Sequence, residues 1–465
     1  MKRGQIIENL EITDIVVEGK ALGRVDDFVV FVENSVPGDV VDVRITKKKS
    51  SYAEGFVVDF KKLSEIRQNA ICKHFGTCGG CRWQNISYDK QLKFKEKIVK
   101  DNFERIAKVV PNEFLPIMGS EKIFFYRNKL EYTFSNRRWL EKNELENIEK
   151  IDTRGLGFHL PRMFDRIVDI DECFLQSDFS NQIRNGVRQF AKENDLEFAD
   201  TRLHNGFLKN LIVRNTVFTN QIMVIFVFGY EDNQKIKMLL DFVKNKFGQI
   251  NSLIYFINQK VNDSIFDLDF KVYSGNAYIT EELNGLLFRI GPKSFFQTNS
   301  QQAQNLYNIA IDFAQLTGNE IVYDLYTGTG TIAQLVSRKA QKVVGIEAID
   351  GAIEDARSNA KLNKIENVDF FVGEVEKLLN EDFFAKNGKP DVIIVDPPRS
   401  GLHPKVVEAI EKSKAQKIVY VSCNPSTQAR DVALLKNSYS LQKMQPVDMF
   451  PHTFHIENVA LLKLK

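Results

Sequence analysis

A single cysteine at the end of an apolar segment is the residue in this chain best suited to act as a nucleophile. The segment Ile418 to Thr427, IVYVSCNPST, reads as a short β-strand that delivers Cys423 into an Asn-Pro-Ser turn. A thiolate at such a position is nucleophilic, whereas an isolated cysteine in a core behaves as a small hydrophobic residue. Which interpretation applies depends on the residues that the fold brings to Cys423.

A glycine-containing loop in the same half of the chain indicates a bound nucleoside. The loop in DLYTGTGT, with Gly328 and Gly330, follows a strand-like run and opens a helical pattern. Glycines at such a junction let a ligand approach the backbone, and Glu347, 19 residues after Gly328, is placed to bind ribose hydroxyls. With Ala333 the loop also fits a dinucleotide fingerprint, so NAD and S-adenosylmethionine both fit the residues at this point.

Two acidic residues lie at the ends of neighbouring strand-like runs. Asp396 opens DPPRSG, where two prolines stiffen a loop that would hold the carboxylate at the mouth of the site. Glu457 follows in FPHTFHIE, just before the last strand, where a carboxylate could act as a base. Taken singly, Glu457 fits a surface position, and His452 and His455 fit structural roles. Taken together, Cys423, Glu457 and the glycine loop indicate a nucleophile, a base and a cofactor loop at one edge of a sheet.

The four other cysteines indicate metal ligation. Cys72, Cys78 and Cys81 follow a C-x5-C-x2-C spacing with paired glycines, and Cys173 can supply a fourth thiolate. Cys423 lies 250 residues beyond Cys173, so the count leaves four thiolates for a metal centre and one free. Thiolate spacing alone does not separate a zinc site from an iron–sulfur cluster. Five cysteines in 465 residues do not form a disulfide scaffold.

The elements that must position these residues fall into three parts. Residues 1–62 read as short strands and predict a small β-barrel, whose basic run Lys47–Lys49 and nearby Tyr52 could bind single-stranded nucleic acid or form a solvated turn. Residues 63–285 predict an α+β central domain that carries the cysteine cluster. Residues 286–465 alternate strands and helices, which predicts a parallel sheet covered on both faces, with its ligand site at the carboxyl ends of the strands.

Helical spacing within the central part is clearest in three segments. The segment from Tyr88 to Ala107 predicts an amphipathic helix, and two further helices are predicted at 179–194 and 233–246. Four basic residues could line an RNA-facing surface or be ordinary surface charges: Arg127, Lys129, Arg137 and Arg138.

Composition and charge exclude some classes of protein. With 43% hydrophobic and 27% charged residues the chain resembles an ordinary soluble protein, and a net charge of +2 means that binding to a polyanion must come from local basic patches. The longest apolar run, near Met223 to Phe228, is too short to span a bilayer, and the segment MKRGQIIENL lacks a signal-peptide core. We therefore expect a cytoplasmic protein with no membrane partner, and no segment indicates an obligate protein partner.

Five motifs, FFQTN, DLYTGTG, DPPRSG, YVSCNPST and FPHTFHIE, follow the cluster C-x5-C-G-G-C-x-W. Together they resemble the bacterial RNA uracil-5-methyltransferase family. The resemblance is strongest to members that act on 23S rRNA and carry an N-terminal TRAM barrel and a 4Fe-4S cluster, both of which the tRNA-modifying branch typically lacks. It implies a multidomain α/β protein: an OB-like TRAM barrel that binds RNA, an α+β central domain with the iron–sulfur cluster, and a C-terminal Rossmann-like class I methyltransferase domain. The helix at 88–107 would pack on the catalytic domain.

The resemblance also implies a role for each site residue. Cys423 would be the nucleophile and Glu457 the base. The cluster would be held by Cys72, Cys78, Cys81 and Cys173. The S-adenosylmethionine positions would be Gln297, Tyr326, Thr331, Glu347, Glu374 and Asp396. Thr331 and Glu374 stand where relatives often have asparagine.

The implied reaction explains why these residue types are needed. Carbon 5 of uracil is a poor nucleophile, so the Cys423 thiolate would add to carbon 6, carbon 5 would take the methyl group, and Glu457 would then remove the carbon 5 proton. Carbon 6 is inaccessible in a stacked helix, so the uridine, in a loop of 23S rRNA, must be flipped out. Phe295 or Phe296, beside Gln297, could stack on the extruded base, or both could belong to the core.

Three alternatives use only part of these features. A tRNA uracil-5-methyltransferase would use the same catalytic residues on another RNA. A nucleobase amino-methyltransferase could use the Asp-Pro-Pro loop but would need neither Cys423 nor Glu457. A non-catalytic RNA-binding protein would explain the barrel and the basic residues but not the glycine loop.

Overall fold

The computed structural model describes residues 1–141, 144 and 151–465. Within these residues the strands form a closed barrel, a seven-stranded sheet, an eight-stranded sheet and a separate hairpin. None of the helices in the described ranges is both long and apolar enough to cross a membrane.

The N-terminal barrel closes through five strands in the order β1-β2-β3-β5-β4. They are β1 (Ile6–Ile15), β2 (Ala21–Val25), β3 (Phe28–Glu33), β4 (Val40–Lys48) and β5 (Tyr52–Lys62). Aliphatic side chains such as Leu10, Val30 and Val43 fill its interior. The predicted barrel is confirmed, and the segment ALGRV forms its strand β2. Gly23 is needed there, since a Cβ would lie 2.7 Å from the Glu11 carbonyl oxygen.

The segment after the barrel packs on the C-terminal part of the chain. It contains α1 (Tyr88–Asn102), which continues into a π-helical turn (Phe103–Ala107), and a short strand β6 (Glu113–Phe114). The helix lies against the eight-stranded sheet and β6 forms the edge strand of that sheet. Two segments more than 300 residues apart in sequence therefore share one core.

The seven-stranded sheet has the order β13-β12-β11-β10-β7-β8-β9. Its strands are β7 (Lys129–Ser135), β8 (Gly155–Leu160), β9 (Met163–Asp169), β10 (Leu208–Asn215), β11 (Ile222–Phe228), β12 (Ser252–Ile257) and β13 (Phe270–Gly275). Two helices, α2 (Asp178–Glu193) and α3 (Asn233–Lys246), cover one face through Ile183, Val187 and Leu239. The helices agree with the expected positions to within one residue.

The C-terminal part begins with a hairpin and continues with alternating helices and strands. Its strands are β14 (Ile279–Leu283), β15 (Leu286–Ile290), β16 (Ile321–Leu325), β17 (Lys342–Glu347), β18 (Val368–Val372), β19 (Val392–Val395), β20 (Lys417–Ser422), β21 (Tyr439–Val447) and β22 (Glu457–Leu464). Its helices are α4 (Ser300–Ala314), α5 (Thr331–Ser337), α6 (Asp350–Leu362), α7 (Val375–Leu378), α8 (Glu381–Asn387), α9 (Pro404–Ser413) and α10 (Pro425–Leu435).

The eight-stranded sheet has the order β18-β17-β16-β19-β20-β22-β21-β6. Strands β16 to β20 are parallel, and apolar residues on both faces explain why they read as continuous apolar runs: Tyr323 and Ile393 belong to one core cluster, and Val322 and Ile394 to the other. The expectation of a fully parallel sheet is wrong at one end. Strand β22 runs antiparallel to β20 and β21, because residues 448–456 join β21 and β22 directly instead of through a crossover helix.

Candidate active site

The carboxyl end of β16 leads into the glycine loop. Tyr326 follows the strand with a left-handed backbone conformation (φ 63°). Gly328 (φ 55°) and Gly330 (φ 76°) have the same left-handed conformation, and α5 begins directly after them at Thr331. A Cβ at Gly330 would lie 2.8 Å from the Phe370 ring, whereas the described residues leave a Cβ at Gly328 without a neighbour within 4 Å. Gly330 is therefore required by packing, and Gly328 faces open space that a ligand can enter.

The acid at the end of β17 is held by this loop. The Glu347 carboxylate accepts a hydrogen bond from the Gly328 amide at 3.2 Å and another from the Ile349 amide at 3.0 Å. Both bonds fix the carboxylate beside the glycine loop. The role of Glu347 in binding ribose hydroxyls stays a prediction.

A second carboxylate lies beneath the loop. Asp324 is buried, and one of its oxygens accepts hydrogen bonds from the Thr327 hydroxyl and from the Ala333 amide at 2.9 Å. Among the described residues its other oxygen, Oδ1, has no hydrogen-bond partner. Burial raises the pKa of Asp324 to about 7, opposed by the Thr327 hydrogen bond, and the charges of Asp396 and Glu347 raise it further. Three carboxylates in mutual electrostatic reach favour a cationic ligand.

Cys423, Asp396 and Glu457 come together at the ends of β20, β19 and the start of β22. Burial raises the pKa of the Cys423 thiol to about 11, the charges of Glu457 and Asp396 add to the increase, and Arg399 opposes it. Burial also raises the pKa of Asp396 to about 7. Glu457 is only 5% exposed, and burial followed by the charge of Asp396 raises its pKa, while Arg399 lowers it.

The turn that carries Cys423 is fixed on both sides. The Ser422 hydroxyl accepts a hydrogen bond from the Asn424 amide at 3.1 Å. The Asn424 side chain caps α10 and also donates to the Arg399 carbonyl at 3.0 Å. These bonds tie the cysteine turn to the DPPRSG loop, so the thiol and Asp396 are positioned together.

Arg399 is the residue of this site that the sequence did not single out. It lies inside the quoted motif DPPRSG, but no pattern distinguished it from a solvated charge. Its guanidinium lies 3.4 Å from Nδ1 of His455, and it is the cation that lowers the pKa of both Cys423 and Glu457. Its position next to the DPP turn was the available signal.

A cleft of about 680 Å³ opens at Cys423. Its walls come from four parts of the chain, represented by Glu33 of the barrel, Arg82 of the cysteine-rich segment, Asn102 at the end of α1, and Arg399 of the C-terminal part. Because the barrel forms one wall, a molecule that reaches Cys423 through this cleft also contacts the barrel.

The remaining cofactor candidates differ in their surroundings. Gln297 is half-buried, and its carbonyl accepts a hydrogen bond from the Asn128 side chain at 2.9 Å. Thr331 is buried at the start of α5. Glu374 is exposed after β18 and forms an ion pair with Lys377. The described contacts bring Glu347 and Asp396 together with the loop, and they do not bring Glu374 to it.

The two phenylalanines beside Gln297 have different environments. Phe295 is 72% exposed. Phe296 packs against a core of the C-terminal part and against a core beside the seven-stranded sheet, and its ring centre lies 6.4 Å from that of Phe288. Only Phe295 is available to stack on a base.

The four remaining cysteines come from two segments that contact each other. Lys73 forms an ion pair with Asp171 at 2.5 Å, and the Asp171 amide donates to His74 at 3.3 Å. These contacts bring the segment of Cys72, Cys78 and Cys81 to the loop of Cys173.

The thiols are close enough to influence one another. Burial raises the pKa of Cys78 to about 11 and of Cys81 to about 12, and the charge of Cys173 raises both further. Burial likewise raises the pKa of Cys72 and Cys173. Within residues 1–141, 144 and 151–465, no three acidic, histidine or cysteine side chains are placed to hold a single metal ion.

The four basic residues of the central part are engaged in contacts within the protein. Arg138 contacts Glu144 through two nitrogens, at 3.1 and 2.6 Å. Arg137 pairs with Asp200 at 3.6 Å and Lys129 with Glu131 at 3.8 Å. Arg127 donates to the Lys129 carbonyl. These contacts favour the interpretation as structural charges.

Comparisons with known proteins agree along the whole chain. The model of the tRNA (uracil-5-)-methyltransferase family matches residues 268–465, and the model of the TRAM domain matches residues 2–58. An uncharacterized RNA methyltransferase of Bacteroides thetaiotaomicron is 51% identical over 96% of this chain and 99% of its own length. Another, of Porphyromonas gingivalis, is 49% identical over 97% of this chain and 99% of its own.

A solved structure shows the same similarity in three dimensions. The Pyrococcus abyssi tRNA (uracil-54, C5)-methyltransferase in complex with S-adenosyl-L-homocysteine is 29% identical, covers 97% of this chain and 100% of its own, and has a TM-score of 0.74. The fold, the strand-end residues and these similarities lead to one conclusion: the chain belongs to the RNA uracil-5-methyltransferase family and carries a TRAM barrel at its N-terminal side.

Proposed function

We propose that this protein transfers a methyl group from S-adenosylmethionine to carbon 5 of a uracil in RNA. The observation that carries the proposal is the electrostatic coupling of Cys423, Glu457 and Asp396 at one sheet edge, since the charges of both carboxylates act on the thiol. A nucleophile and a buried carboxylate beside a nucleoside-binding loop are what this reaction requires. A nucleobase amino-methyltransferase would not need that pair.

The residues of the glycine loop fit S-adenosylmethionine. The open space at Gly328, the held carboxylate of Glu347 and the unpartnered oxygen of Asp324 among the described residues form a site for a nucleoside with a positive charge. Asp396 adds negative charge to the same region. When bound, the cofactor supplies an electrophilic methyl group. The remaining proposed contacts are Gln297, Tyr326, Thr331 and Glu374, of which Glu374 would have to leave its pair with Lys377.

The chain's own residues carry the other steps. The Cys423 thiolate forms a bond to carbon 6 of uracil, and the electron pair of the carbon 5–carbon 6 double bond makes carbon 5 nucleophilic. After carbon 5 has taken the methyl group, Glu457 accepts the carbon 5 proton. The double bond re-forms, the bond between sulfur and carbon 6 breaks, and the thiolate leaves. The raised pKa of Glu457 suits it to accept a proton.

The cleft at Cys423 is the proposed path for the RNA. A base must leave its stack before carbon 6 can reach a thiol, at a cost of a few kcal/mol that unpaired loop RNA reduces. Phe295, the exposed one of the pair, is the proposed stacking partner for the extruded base or its neighbour. The barrel wall of the cleft would hold the flanking nucleotides.

We propose that Cys72, Cys78, Cys81 and Cys173 hold a 4Fe-4S cluster. One observation supports it: Cys173 lies near enough to Cys78 and Cys81 for its charge to raise the pKa of both thiols. Four thiolates are the ligand set that such a cluster takes. Iron and sulfide analysis of the purified protein tests this, and stoichiometric zinc in a colourless protein would contradict it.

We propose 23S rRNA as the substrate, with tRNA as the second candidate. By the family resemblance, the presence of the barrel and of the cysteine cluster favours rRNA. The similarity to a solved tRNA (uracil-54, C5)-methyltransferase over 97% of this chain favours tRNA, because that similarity includes the barrel region. The barrel therefore does not distinguish the two substrates.

Methyl transfer to purified RNA tests the proposed function. The protein is incubated with labelled S-adenosylmethionine and with 23S rRNA or tRNA from a strain that lacks the gene, and the RNA is digested to nucleosides. We expect label in 5-methyluridine from rRNA. Label in tRNA alone would show that tRNA is the substrate instead of rRNA. Label in methyladenosine, or in neither RNA, would refute the proposed reaction.

A further inference from the structure

The connection between β21 and β22, residues 448–456, ends at the proposed base. In the antiparallel register Val447 pairs with Glu457, so Asp448 follows directly after the cross-strand partner of the base. Any shift of this connection would therefore move Glu457 relative to Cys423.

A buried ion pair anchors the first residue of the connection. Nζ of Lys95, on α1, lies 2.6 Å from Oδ1 of Asp448, and neither side chain is exposed to solvent. Lys95 also donates to the Phe450 carbonyl at 3.2 Å, and the hydroxyl of Tyr88 donates to the second oxygen of Asp448 at 2.8 Å. Two side chains of α1 thus make three contacts with the connection.

The middle of the connection is held by the same helix and by the cysteine-rich segment. His452 has a left-handed backbone (φ 64°), and its amide donates to the Gln91 side chain at 2.9 Å. Its carbonyl accepts from the amides of Arg82 at 2.8 Å and Trp83 at 3.1 Å. The segment that carries three cysteines is in this way hydrogen-bonded to the connection.

Three further bonds hold the connection from the other side. The Asn299 side chain donates to the Met449 carbonyl at 2.9 Å and the Gln302 side chain to the Asp448 carbonyl at 3.0 Å. The Tyr126 hydroxyl donates to the Pro451 carbonyl at 3.0 Å.

The ion pair is not explained by stability alone. Burying two charges costs desolvation free energy that their attraction does not reliably recover, and apolar residues of similar volume often serve a core equally well. An ion pair does impose a fixed distance and direction, because the carboxylate must meet the ammonium, the Tyr88 hydroxyl and the Phe450 amide at once. The surrounding bonds all converge on nine residues that end at Glu457.

We propose that Lys95 and Asp448, supported by Tyr88, are positioning residues for Glu457 and serve the proton-removal step. The inference rests on the proposed function, and it assigns to α1 a role in catalysis from outside the catalytic sheet. Methyl transfer needs Cys423 and the cofactor loop in place, whereas release of the RNA needs Glu457 aimed at carbon 5. Loosening the connection should therefore slow release more than methyl transfer.

The test compares two rates on ordinary uridine-containing RNA. Lys95→Met with Asp448→Asn removes both charges together and leaves no unpaired buried ion. Lys93→Met is the matched control, because Lys93 lies on the same helix with an exposed side chain. Methyl incorporation in a single turnover, steady-state turnover, and the covalent RNA–protein complex on a denaturing gel are measured for each variant.

We expect single-turnover methylation within about threefold of wild type, turnover reduced by about tenfold or more, and a methylated covalent complex that wild type does not accumulate. Lys93→Met should match wild type in all three readouts. Equal losses of both rates without an accumulated complex would overturn the proposal, since a merely structural role predicts that pattern. Wild-type turnover in the double variant would also overturn it.

Tyr88→Phe keeps the ion pair and provides a second, milder variant. It should raise the ratio of methylation rate to turnover rate by about threefold, and an unchanged ratio would contradict the proposal even if the double variant failed to fold. Failure of the proposed function is distinguishable, because it would appear as the absence of methyl transfer by wild type.

Discussion

Cys423 lies among charges that oppose its ionisation in the free protein. Burial, Glu457 and Asp396 raise the pKa of its thiol to about 11, and Arg399 offsets only part of this increase. A cationic cofactor beside Asp396 and Asp324 would neutralise part of the negative charge. At the scale of single residues, binding of the cofactor should therefore favour formation of the Cys423 thiolate.

The pKa of Cys423 predicts how fast the free protein is alkylated. Because the raised pKa of about 11 lies above neutral pH, the thiolate fraction should grow with every pH unit up to that value. Iodoacetamide labelling of Cys423, followed by mass spectrometry, should accelerate about tenfold per unit from about pH 7 to about pH 9. Arg399→Met should slow labelling, and a rate that levels off below about pH 9 would contradict this environment.

Glu457→Gln should separate methyl transfer from product release. The amide cannot accept the carbon 5 proton, so the bond between Cys423 and carbon 6 should persist after the methyl group has arrived. We expect single-turnover methylation to survive, steady-state turnover to fall by about 100-fold or more, and a covalent complex to accumulate. Normal turnover would remove Glu457 from its proposed role.

At the scale of elements, the loop between β16 and α5 depends on two glycines for different reasons. Gly330 lies against Phe370 and Ala356, with a left-handed backbone, while Gly328 faces the open side of the loop. One glycine is needed for the packing of the loop and the other for access to it.

The two glycines should therefore respond differently to alanine. Gly330→Ala should lower the free energy of unfolding by about 2–4 kcal/mol, because it adds a clash to left-handed strain. Gly328→Ala should cost about 1–2 kcal/mol but should weaken S-adenosylmethionine binding more, because its Cβ would occupy the open space. Denaturant unfolding and calorimetry measure the two quantities, and equal effects of both variants on each would contradict the geometry.

Elements with strong local patterns were predictable from sequence, and those defined by distant partners were not. The helices α2 and α3 begin and end within a residue of their expected bounds because their apolar spacing is regular. Strand β21 has mixed polarity and contains Pro446, so only its pairing with β22 identifies it. Strand β6 has two residues, and its place in the sheet depends on contacts with β21.

At the scale of the whole molecule, the three parts meet around one cleft. The sequence motifs located Cys423, Asp396 and Glu457 because each follows or precedes a strand of the same sheet. The contact of Lys95 with Asp448 joins residues 353 positions apart, and no local sequence pattern predicts it. The barrel wall of the cleft could not be predicted either, because it also forms through contacts between residues that are distant in sequence.

One ion pair holds the barrel against the segment that follows it. Nη2 of Arg67 lies 2.6 Å from Oδ2 of Asp39, whose side chain is buried, and the guanidinium lies 4.9 Å from the centre of the Phe60 ring. Arg67 also lines the cleft at Cys423. Arg67 is therefore one of the residues that hold this wall in place.

Arg67→Met should weaken RNA binding by about tenfold and leave S-adenosylmethionine affinity unchanged, because the barrel wall moves while the glycine loop does not. Arg24→Met, which removes an exposed arginine elsewhere in the barrel, is the matched control. Fluorescence anisotropy with labelled RNA and calorimetry with the cofactor measure the two affinities. A parallel loss of both would indicate general unfolding instead of a displaced wall.

Covalent trapping tests the central claim, that Cys423 is the nucleophile, most directly. RNA that contains 5-fluorouridine carries fluorine where Glu457 would remove a proton, so the bond between sulfur and carbon 6 should persist after methyl transfer. With S-adenosylmethionine, wild type should form a complex that survives denaturation, and peptide mapping should place the RNA on Cys423. Cys423→Ala should form none. A denaturation-resistant complex in Cys423→Ala, or a wild-type complex that maps to another residue, would contradict the account.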